Sequence, residues 1–340
     1  MTQPDENNTD QIAGKLITYL RAVNNDFTLA YDLALTQLKG GIETATYQFQ
    51  LKGGQKELNQ PLVLRLYPEY RGSDDAVWES SVQNALAKKE YPVARTYKVC
   101  TDKAILGGAF YIMEFLPGQP LWTAPFDTIP EMLGKTHANL HKIDPEPLVK
   151  SLNEQGFDEN RYRFRTDFFD ALAIAAKGTE FPWTRAMVDW LIKNRPPELE
   201  RLAICHGDFH PLNILIKEGK VTGVLDWHLY IADPVLDIAN TIRLITMIKH
   251  LSVPGAESID WETFLQKYLD AYRTQLPLDL THIDYYRVVQ NLVFLYDSGN
   301  MQALRLPSLI KESLEFIHKV TGIQITMPEY PTRLKRNKAR

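Results

Sequence analysis

The stretch "HGDFHPLN", from His206 to Asn213, places an Asp between two histidines and an Asn five positions after that Asp. Short β-forming runs flank it: "LAIC" precedes it, and "ILIK" and "VTGVLDW" follow, with "KEGK" as a turn between the last two. The pattern therefore predicts a loop between strands. Such a loop could be a metal site, a catalytic loop or a simple turn, and each alternative makes different demands on the rest of the chain.

The metal-site interpretation uses the alternation of His206, Asp208 and His210, because alternate residues of an extended segment share a face. Asp226 and His228 could supply two more ligands, and mixed nitrogen and oxygen sets of this kind bind transition metals. The "DFH" element is similar to one motif of the metallophosphoesterases. The sequence has no second Gly-Asp motif followed by an Asn-His pair, which that group also uses. A metallohydrolase therefore stays as the third hypothesis.

The catalytic-loop interpretation uses the separation of Asp208 and Asn213, which equals the Asp-to-Asn spacing of the protein-kinase catalytic loop, together with Asp226 on the following hairpin. Phosphoryl transfer needs a carboxylate that orients the acceptor hydroxyl and oxygen ligands that hold Mg²⁺. An Asp with an ordinary pKa of about 3.9 is too weak a base to deprotonate an alcohol beforehand. We therefore expect it to orient the hydroxyl and to accept the proton late in the reaction.

Three segments in order, "HGDFHPLNIL", "VTGVLDW" and "ADPVLDIA", lie within Ile204 to Ala239 and resemble the aminoglycoside phosphotransferase and choline kinase-like family. The resemblance continues upstream in "LGKTHANLHKID" and in "YIMEFLPGQPL", so that most of Gln37 to Ala239 is covered. It implies an α+β, protein kinase-like two-lobed fold, with a small antiparallel β lobe carrying one helix and a larger, mainly helical lobe.

The family's roles then fall on four side chains of this sequence. The resemblance makes Asp208 the catalytic Asp, makes Asn213 and Asp226 the Mg²⁺ ligands, and makes Asp237 a structural brace. Taken one at a time, each has an ordinary alternative, because an isolated Asp is often a helix cap and an Asn in a turn often bonds the backbone. Their joint spacing favours the functional interpretation.

Hydrophobic periodicity predicts a compatible layout. Residues 47–51 and 61–67 alternate or are rich in β-formers and predict antiparallel strands, whereas residues 75–89 predict one helix among them. The segment "LPGQP" then breaks regular structure, and apolar residues at helical spacing dominate afterwards. We therefore expect an N-terminal nucleotide-binding lobe over residues 1–116 and a C-terminal catalytic and acceptor-binding lobe over residues 117–340.

In the N-terminal lobe, "LKGGIETATYQF" (Leu38 to Phe49) resembles the family's nucleotide-covering loop. Gly40 and Gly41 would permit close approach of the backbone to phosphates, although two glycines between strands also make an ordinary hairpin. Thr44 and Thr46 could donate hydroxyl groups to phosphate, and their β-propensity explains them equally well.

The strand "LVLRLYP" carries Arg65 at the position where protein kinases and many relatives have Lys. Arg keeps the charge and binds phosphate bidentately, but its larger planar group requires a reshaped pocket. Glu79 on the following helix is the expected ion-pair partner. Glu114 and Leu116, in "IMEFLPG", are expected to bind the nucleotide base through their backbone, which leaves ATP and GTP undistinguished.

Composition limits the classes of partner and location. The chain has 340 residues, a net charge of -4 and two cysteines without metal-ligand spacing. The charge balance argues against nucleic acid, and the absence of a long apolar run argues against a membrane span. No signal-peptide pattern opens the sequence, so we expect a cytoplasmic protein. The sequence does not predict an oligomeric state.

The expected acceptor is a hydroxyl of a small molecule, such as an aminoglycoside-like compound, an amino alcohol or a sugar. Between Leu251 and Tyr285 aromatic residues alternate with acidic ones, which would suit a cationic acceptor but is equally typical of ordinary amphipathic helices. The acidic residues are Glu257, Asp260, Glu262, Asp270, Asp279 and Asp284.

The leading hypothesis is thus a Mg²⁺-dependent phosphotransferase that moves the terminal phosphate of ATP or GTP to such a hydroxyl. Its main rival is a nucleotide-binding pseudokinase or interaction module, which Arg65 in place of Lys would suit. The presence of Asp208, Asn213 and Asp226 together argues against that rival.

Overall fold

The computed structural model describes residues 6–38, 44–54, 56–164, 182–197, 199–251, 253, 255–300 and 306–326. The strands are β1 (Ala30–Gln37), β2 (Ala45–Lys52), β3 (Pro61–Leu66), β4 (Thr96–Cys100), β5 (Phe110–Glu114), β6 (Gln119–Pro120), β7 (Ala203–Cys205), β8 (Ile214–Lys217), β9 (Lys220–Val224) and β10 (Tyr230–Ala232). The helices are α1 (Glu6–Asn24), α2 (Ser73–Ala87), α3 (Lys103–Leu106), α4 (Ile129–His141), α5 (Glu146–Glu154), α6 (Pro182–Lys193), α7 (Pro234–His250), α8 (Trp261–Arg273), α9 (Ile283–Asn300) and α10 (Pro307–Thr321).

Contacts along the chain define two compact units. The first unit comprises Met1–Ala124, Asp144–Phe157 and Pro211–Trp227, and the second comprises Pro125–Ile143, Asp158–His210 and His228–Arg340. Residue 116, where the sequence analysis placed the lobe boundary, lies inside the first unit. The stretch quoted at the outset belongs to both units, because the division falls directly after His210.

The first unit contains an antiparallel sheet with the strand order β1-β2-β3-β5-β4. Side chains of β3 alternate between its two faces. Leu62 and Leu64 are fully buried in the cluster that includes residues of α1, whereas Val63 belongs to the cluster that includes Ala76 of α2. Arg65 lies two residues after Val63 and therefore points to the face that α2 covers.

A second, three-stranded sheet of the first unit has the order β6-β8-β9 and carries the segment after the quoted loop. The Thr222 hydroxyl donates to the Pro117 carbonyl over 2.6 Å. Gly118 has a φ of 151°, and a Cβ there would lie 2.8 Å from the Ile216 carbonyl oxygen. The "LPGQP" segment therefore leads directly into strand β6 of this sheet.

In the second unit α4 packs against α8. Gly134 allows this close crossing, because a Cβ there would lie 2.3 Å from the Tyr268 carbonyl oxygen. Asp260 caps α8 by accepting from the Thr263 backbone N–H, and Phe264, Tyr268 and Tyr272, spaced four apart, form its buried face. Two aromatic hydroxyls are thereby placed beside α4.

The "ADPVLDIA" segment forms the N-cap and the first turns of α7. The Asp233 carboxylate accepts from the Val235 N–H at the N-cap, and Pro234 occupies the first helical position. Asp237 falls in the first turn and is fully buried. In this position the helix dipole stabilises the negative charge of the Asp237 carboxylate.

The predicted α+β composition is confirmed, with an antiparallel sheet followed by a mainly helical region. Helix α2 begins at Ser73, two residues before its predicted start, and the predicted strands correspond to β2 and β3. Strand β1 was not predicted; Tyr31, Leu33 and Leu35 alternate in its sequence, but Leu35 is its one buried residue. In the described part of the chain, no helix combines the length and the apolar character needed to cross a membrane.

Candidate active site

The loop that carries Asp208 is held by the buried carboxylate of Asp237 in the second unit. The His206 N–H donates to Asp237 Oδ2 over 2.7 Å, and the Gly207 N–H donates to Oδ1 over 3.1 Å. The Tyr230 hydroxyl also donates to Oδ1, over 3.3 Å. These contacts fit the bracing role expected for Asp237, because hydrogen bonds to a carboxylate are among the stronger ones.

Gly207 adopts a conformation that other residues rarely adopt. Its φ is 85°, and a Cβ would lie 2.9 Å from the His228 Cβ and 3.0 Å from the Tyr230 ring. The Asn240 side-chain amide donates to the Gly207 carbonyl over 2.5 Å, and the Thr241 hydroxyl donates to the Phe209 carbonyl over 3.0 Å. Helix α7 therefore fixes the backbone on both sides of Asp208.

Asp208 itself lies among histidines of the same unit. Its N–H donates to His206 Nδ1 over 3.1 Å, and its Oδ2 lies 3.4 Å from His210 Nε2. Burial raises the pKa of Asp208, but the hydrogen bond and charge of His210, with His228 and His206 behind it, outweigh burial and leave that pKa below its ordinary value. The side chain is thus a carboxylate at neutral pH, as an orienting group requires.

A buried network of histidines and tyrosines completes the support of Asp237. His137 Nε2 lies 3.0 Å and His141 Nε2 lies 3.3 Å from Asp237 Oδ2. On the far side of each ring, Nδ1 lies 2.8 Å from a tyrosine hydroxyl, that of Tyr268 for His137 and that of Tyr272 for His141. If each Nε2 carries the proton, every one of these contacts is a hydrogen bond between a donor and an acceptor.

The protonation of this network follows from its burial. Burial, with the neighbouring His141, lowers the pKa of His137 to about 4. Burial alone would raise the pKa of Asp237, but its hydrogen bonds from His137 and His141 hold that pKa well below the ordinary range. The network therefore contains an uncharged His137 and an ionised Asp237 at neutral pH.

His137, His141 and Asp237 are also the one group of three potential metal ligands that converges within the described residues, with ligand atoms within 4.8 Å of one another. The set predicted for a metallohydrolase, His206, Asp208 and His210, does not converge in this way. The hydrogen bonds that already satisfy both oxygens of Asp237 account for the buried cluster without a metal. Sequence reasoning missed it, although the spacing of four in "HANLH" and in "YLDAY" was its signal.

In the first unit, the two candidate metal ligands flank the β8–β9 hairpin. The Leu225 N–H donates to the Asn213 carbonyl over 2.8 Å, which ties the segment before Asp226 to Asn213. Asn213 is buried, whereas the Asp226 side chain is 52% exposed. Asp226 has a φ of 57°, in the left-handed region that Asp and Asn adopt more readily than most side chains.

Arg65 connects Asp226 with α2. Its Nη1 lies 3.0 Å from Asp226 Oδ1, and its Nε lies 3.3 Å from Glu79 Oε2. The predicted ion pair with Glu79 is therefore present, and the pair with Asp226 is an addition that the sequence did not indicate. Glu79 Oε2 also accepts from the Tyr111 hydroxyl over 3.1 Å. Burial would lower the pKa of Arg65, but Tyr111, Glu79 and Asp226 together raise it.

The other predicted nucleotide contacts are placed only in part. Gly40 and Gly41 lie outside the described residues. Thr44, directly before β2, is buried. The Glu114 N–H donates to the Arg95 carbonyl over 2.9 Å. A base contact from Glu114 would therefore use its carbonyl oxygen. Leu116 packs its side chain close to Gly223, on β9.

The donor set of the first unit fits a hard divalent cation. Asn213 and Asp226 offer amide and carboxylate oxygens, which are the ligands that Mg²⁺ and Ca²⁺ prefer over the nitrogen and sulfur ligands of transition metals. Arg65 neutralises Asp226 in the structure described, so a cation would compete with its guanidinium for that carboxylate. The residues present are thus compatible with Mg²⁺ held jointly with nucleotide phosphates.

The acidic residues that suggested a cationic acceptor are all exposed, whereas Tyr268, Tyr272 and Tyr285 are buried. Acids outside and aromatics inside are the ordinary arrangement of amphipathic helices. These side chains therefore do not form a shared face that would bind an ammonium group.

Comparison with known sequences gives a family and partial relatives. Residues 34–285 match the model described as the phosphotransferase enzyme family. The chain is 28% identical over 247 residues to acyl-CoA dehydrogenase family member 11 of Gallus gallus, covering 67% of this chain and 30% of that protein. Its Homo sapiens counterpart is 29% identical over 220 residues, covering 61% and 27%. The chain spans less than a third of the length of these relatives.

Comparison with solved structures gives the fold. A Ralstonia eutropha protein named as a candidate aminoglycoside phosphotransferase matches with a TM-score of 0.63 and 21% identity, over 91% of this chain and 97% of that one. The amicoumacin kinase hAmiN, in complex with AMP-PNP and Ca²⁺, matches with a TM-score of 0.57 and 15% identity, over 92% and 95%. A variant of aminoglycoside phosphotransferase APH(4)-Ia with AMP-PNP and hygromycin B gives 0.53 and 17%, over 91% and 96%. The predicted kinase-like fold is confirmed.

Proposed function

Because the chain belongs to the phosphotransferase enzyme family, we propose that it transfers the terminal phosphate of ATP or GTP to a hydroxyl group of a small molecule, with Mg²⁺ as the metal. The family resemblance predicted from "HGDFHPLN" is confirmed by the match. Solved relatives of the same fold carry AMP-PNP in complexes with hygromycin B or with Ca²⁺, which supports a nucleotide and a divalent cation as co-reactants here.

The observation that carries the proposal is the state of Asp208. Its pKa lies below the ordinary value and its loop is anchored by Asp237, Asn240 and Thr241, so an ionised carboxylate is held in a fixed backbone. Such a carboxylate orients the acceptor O–H by accepting its hydrogen bond. Pre-organisation of this kind lowers the barrier because no reorganisation is required during reaction.

The reaction then needs little basicity from the protein. The acceptor oxygen forms a bond to the terminal phosphorus while the bond from phosphorus to the bridging oxygen breaks and leaves the nucleoside diphosphate. The hydroxyl proton passes to Asp208 late, when the oxygen has already lost electron density to phosphorus. A carboxylate of low pKa is sufficient under these conditions.

Asn213 and Asp226 are the proposed metal ligands, and Mg²⁺ would neutralise charge on the nucleotide phosphates. Arg65 is the proposed phosphate-binding cation, held in place by Glu79. The nucleotide-covering loop with Gly40, Gly41 and Thr44 and the backbone of Glu114 and Leu116 complete the proposed nucleotide site. Arg65 would exchange Asp226 for phosphate when Mg²⁺ and nucleotide enter together.

The test is release of nucleoside diphosphate from ATP and from GTP with Mg²⁺, across aminoglycosides, amino alcohols, sugars and hydroxy acids. We expect acceptor-dependent release that Asp208→Asn abolishes. The matched control is Asp158→Asn, an exposed acid that caps a single turn of helix in the same unit. If nucleotide and Mg²⁺ bind but no acceptor stimulates release, the pseudokinase hypothesis replaces this one.

A further inference from the structure

A cavity of about 90 Å³ lies in the second unit among α7, α9 and α10. A cavity measured in this way needs about 10–15 Å³ to hold one water molecule, so this one has room for a small group such as a carboxylate or a phosphate. Its polar lining includes Arg243, Arg287, Glu312 and Ser313, with Phe316 as an aromatic wall. Two guanidinium groups in one small cavity are the feature that needs an explanation.

Arg287 is a partly buried cation of the cavity lining, with a side chain that is 35% exposed. Its guanidinium stacks over the Phe316 ring at 4.0 Å from the centroid, and its Nη1 lies 3.5 Å from Asp284 Oδ1, at the limit of a hydrogen bond. Burial is the largest effect on the pKa of Arg287 and lowers it, because Asp284 and Glu312 compensate only in part. An anion in the cavity would be a further charged partner for this guanidinium.

Arg243 faces the cavity from α7. Its Nε and Nη2 lie 3.1 Å and 2.8 Å from Asn240 Oδ1, and its guanidinium lies over the Phe294 ring. Glu312 is the acidic side chain of the lining, and it is already matched by two cations. His250 Nε2 lies 2.6 Å and Lys249 Nζ lies 3.4 Å from Glu312 Oε2.

Ser313 adds an observation independent of charge. Its side chain is 2% exposed, and its Oγ has no hydrogen-bond partner within the described ranges. A buried hydroxyl without a partner costs free energy, and native proteins rarely retain one unless something else satisfies it. A bound oxyanion would accept from this hydroxyl.

The cavity and the loop that carries Asp208 are both in contact with the same turn of α7. Arg243 contacts Asn240, and Asn240 in turn donates to the Gly207 carbonyl beside Asp208. Ala239, in the same turn, lines the cavity. A ligand that engages Arg243 therefore acts on the helix that positions the proposed catalytic residue.

We infer that this cavity binds an anionic group of the acceptor, a carboxylate or a phosphate, through Arg243, Arg287 and Ser313, so that the acceptor is a hydroxy acid or a hydroxyl-bearing phosphate ester. The inference rests on the proposed phosphotransferase function for the acceptor's hydroxyl, but the anion site itself does not require turnover. It opposes the cationic acceptor that the acidic helices suggested.

Direct binding tests the site. The full chain is titrated by calorimetry with ω-hydroxycarboxylates from 3-hydroxypropanoate to 8-hydroxyoctanoate and with glycerol 3-phosphate, against diols and amino alcohols of the same length. We expect saturable binding of a carboxylate or of the phosphate ester, and none of the diol or amino alcohol. Whichever anion binds tells the two sources of the anionic group apart.

Two variants with a control assign the binding to the cavity. Arg287→Gln should weaken binding about tenfold or more, since a charge-assisted contact is lost. Arg273→Gln, an exposed Arg on α8, should leave binding unchanged. Ser313→Ala should weaken binding while the thermal midpoint of the unliganded protein stays equal or rises, because the variant removes an unsatisfied buried hydroxyl. A misfolded variant would lower that midpoint instead.

Turnover separates the inference from the proposed function. Binding of the anion, with no nucleoside diphosphate release from any acceptor of the panel, supports the cavity and removes the proposed function. Release with amino alcohols or sugars but not with hydroxy acids supports the proposed function and overturns the inference. Absence of binding by every anionic probe, or binding equal in Arg287→Gln and native protein, also overturns it.

Discussion

The guanidinium of Arg65 lies 3.0 Å from the carboxylate of Asp226, so the proposed phosphate-binding cation and a proposed metal ligand neutralise each other. Arg65 also pairs with Glu79. Asp226 is also the proposed ligand of the divalent cation. Binding of a nucleotide with its metal would replace the Arg65–Asp226 ion pair with two interactions, Arg65 with phosphate and Asp226 with the metal. Arg65 is thereby suited to its position in a way that Lys, with a single charged nitrogen, would not be.

Replacing Arg65 should therefore affect nucleotide affinity more than its charge alone suggests. Arg65→Lys keeps the charge but cannot contact Glu79 and phosphate with separate nitrogens, so we expect the KM for the nucleotide to rise about tenfold. Arg65→Met should raise it further. Steady-state kinetics measures both, with Arg71→Met as control, because Arg71 pairs with Asp75 of α2, the helix that carries Glu79. Equal KM values for Arg65→Met and native protein would contradict the role.

Gly207 should be irreplaceable for geometric reasons. Gly207→Ala would place a Cβ 2.9 Å from the His228 Cβ and keep a positive φ that costs about 1–2 kcal/mol. Displacement of the adjacent Asp208 should lower kcat about a hundredfold. Gly219→Ala is the matched control, because Gly219 has a φ of 72° and open space around it. If both variants keep native kcat, the loop geometry is not required for turnover.

Asp237 should contribute to stability as well as to the loop. Asp237→Asn puts an amide NH₂ group in place of one carboxylate oxygen, so the buried donors that faced that oxygen lose their acceptor, at a cost of about 1–3 kcal/mol each. Urea unfolding measures the change, with the exposed Asp270→Asn as control. If Asp237→Asn lowers the free energy of unfolding no more than Asp270→Asn does, the carboxylate of Asp237 is not required to satisfy its buried donors.

Stability should fall on mild acidification because of His137. Its pKa is about 4 in the folded protein and about 6.5 unfolded, so between these values the unfolded chain binds more protons. The contribution of His137 to the free energy of unfolding should therefore be constant well above pH 6.5 and decrease toward pH 4, by up to about 3 kcal/mol. Asp237, whose pKa is depressed, contributes stability that is lost below the ordinary Asp range, and so at lower pH.

Comparison with His137→Gln isolates this effect, because Gln can donate to Asp237 and accept from Tyr268 but does not titrate. Urea unfolding at pH 7, 5.5 and 4.5 should show a smaller decrease for this variant than for the native protein. Parallel pH profiles for the two proteins would show that His137 does not titrate with the expected shift.

Much of this site could be predicted from the sequence because it depends on local spacing. Asp208, Asn213 and Asp226 are proposed as site residues from the spacing within one short stretch, and the ion pair of Arg65 with Glu79, which the structure contains, follows from a strand and the next helix. The pairing of His137 with Tyr268 could not be predicted, since it joins helices 131 positions apart. The burial of the Ser313 hydroxyl beside the cavity likewise depends on how three helices pack, which no local sequence pattern encodes.

The most direct test of the proposed function is ³¹P NMR of native protein and Asp208→Asn, each incubated with Mg²⁺, ATP and the acceptor panel. The proposal predicts a new phosphomonoester resonance with at least one acceptor, together with nucleoside diphosphate, and neither in the variant. A phosphomonoester formed equally by Asp208→Asn, or none formed by a native protein that binds the nucleotide, would contradict it.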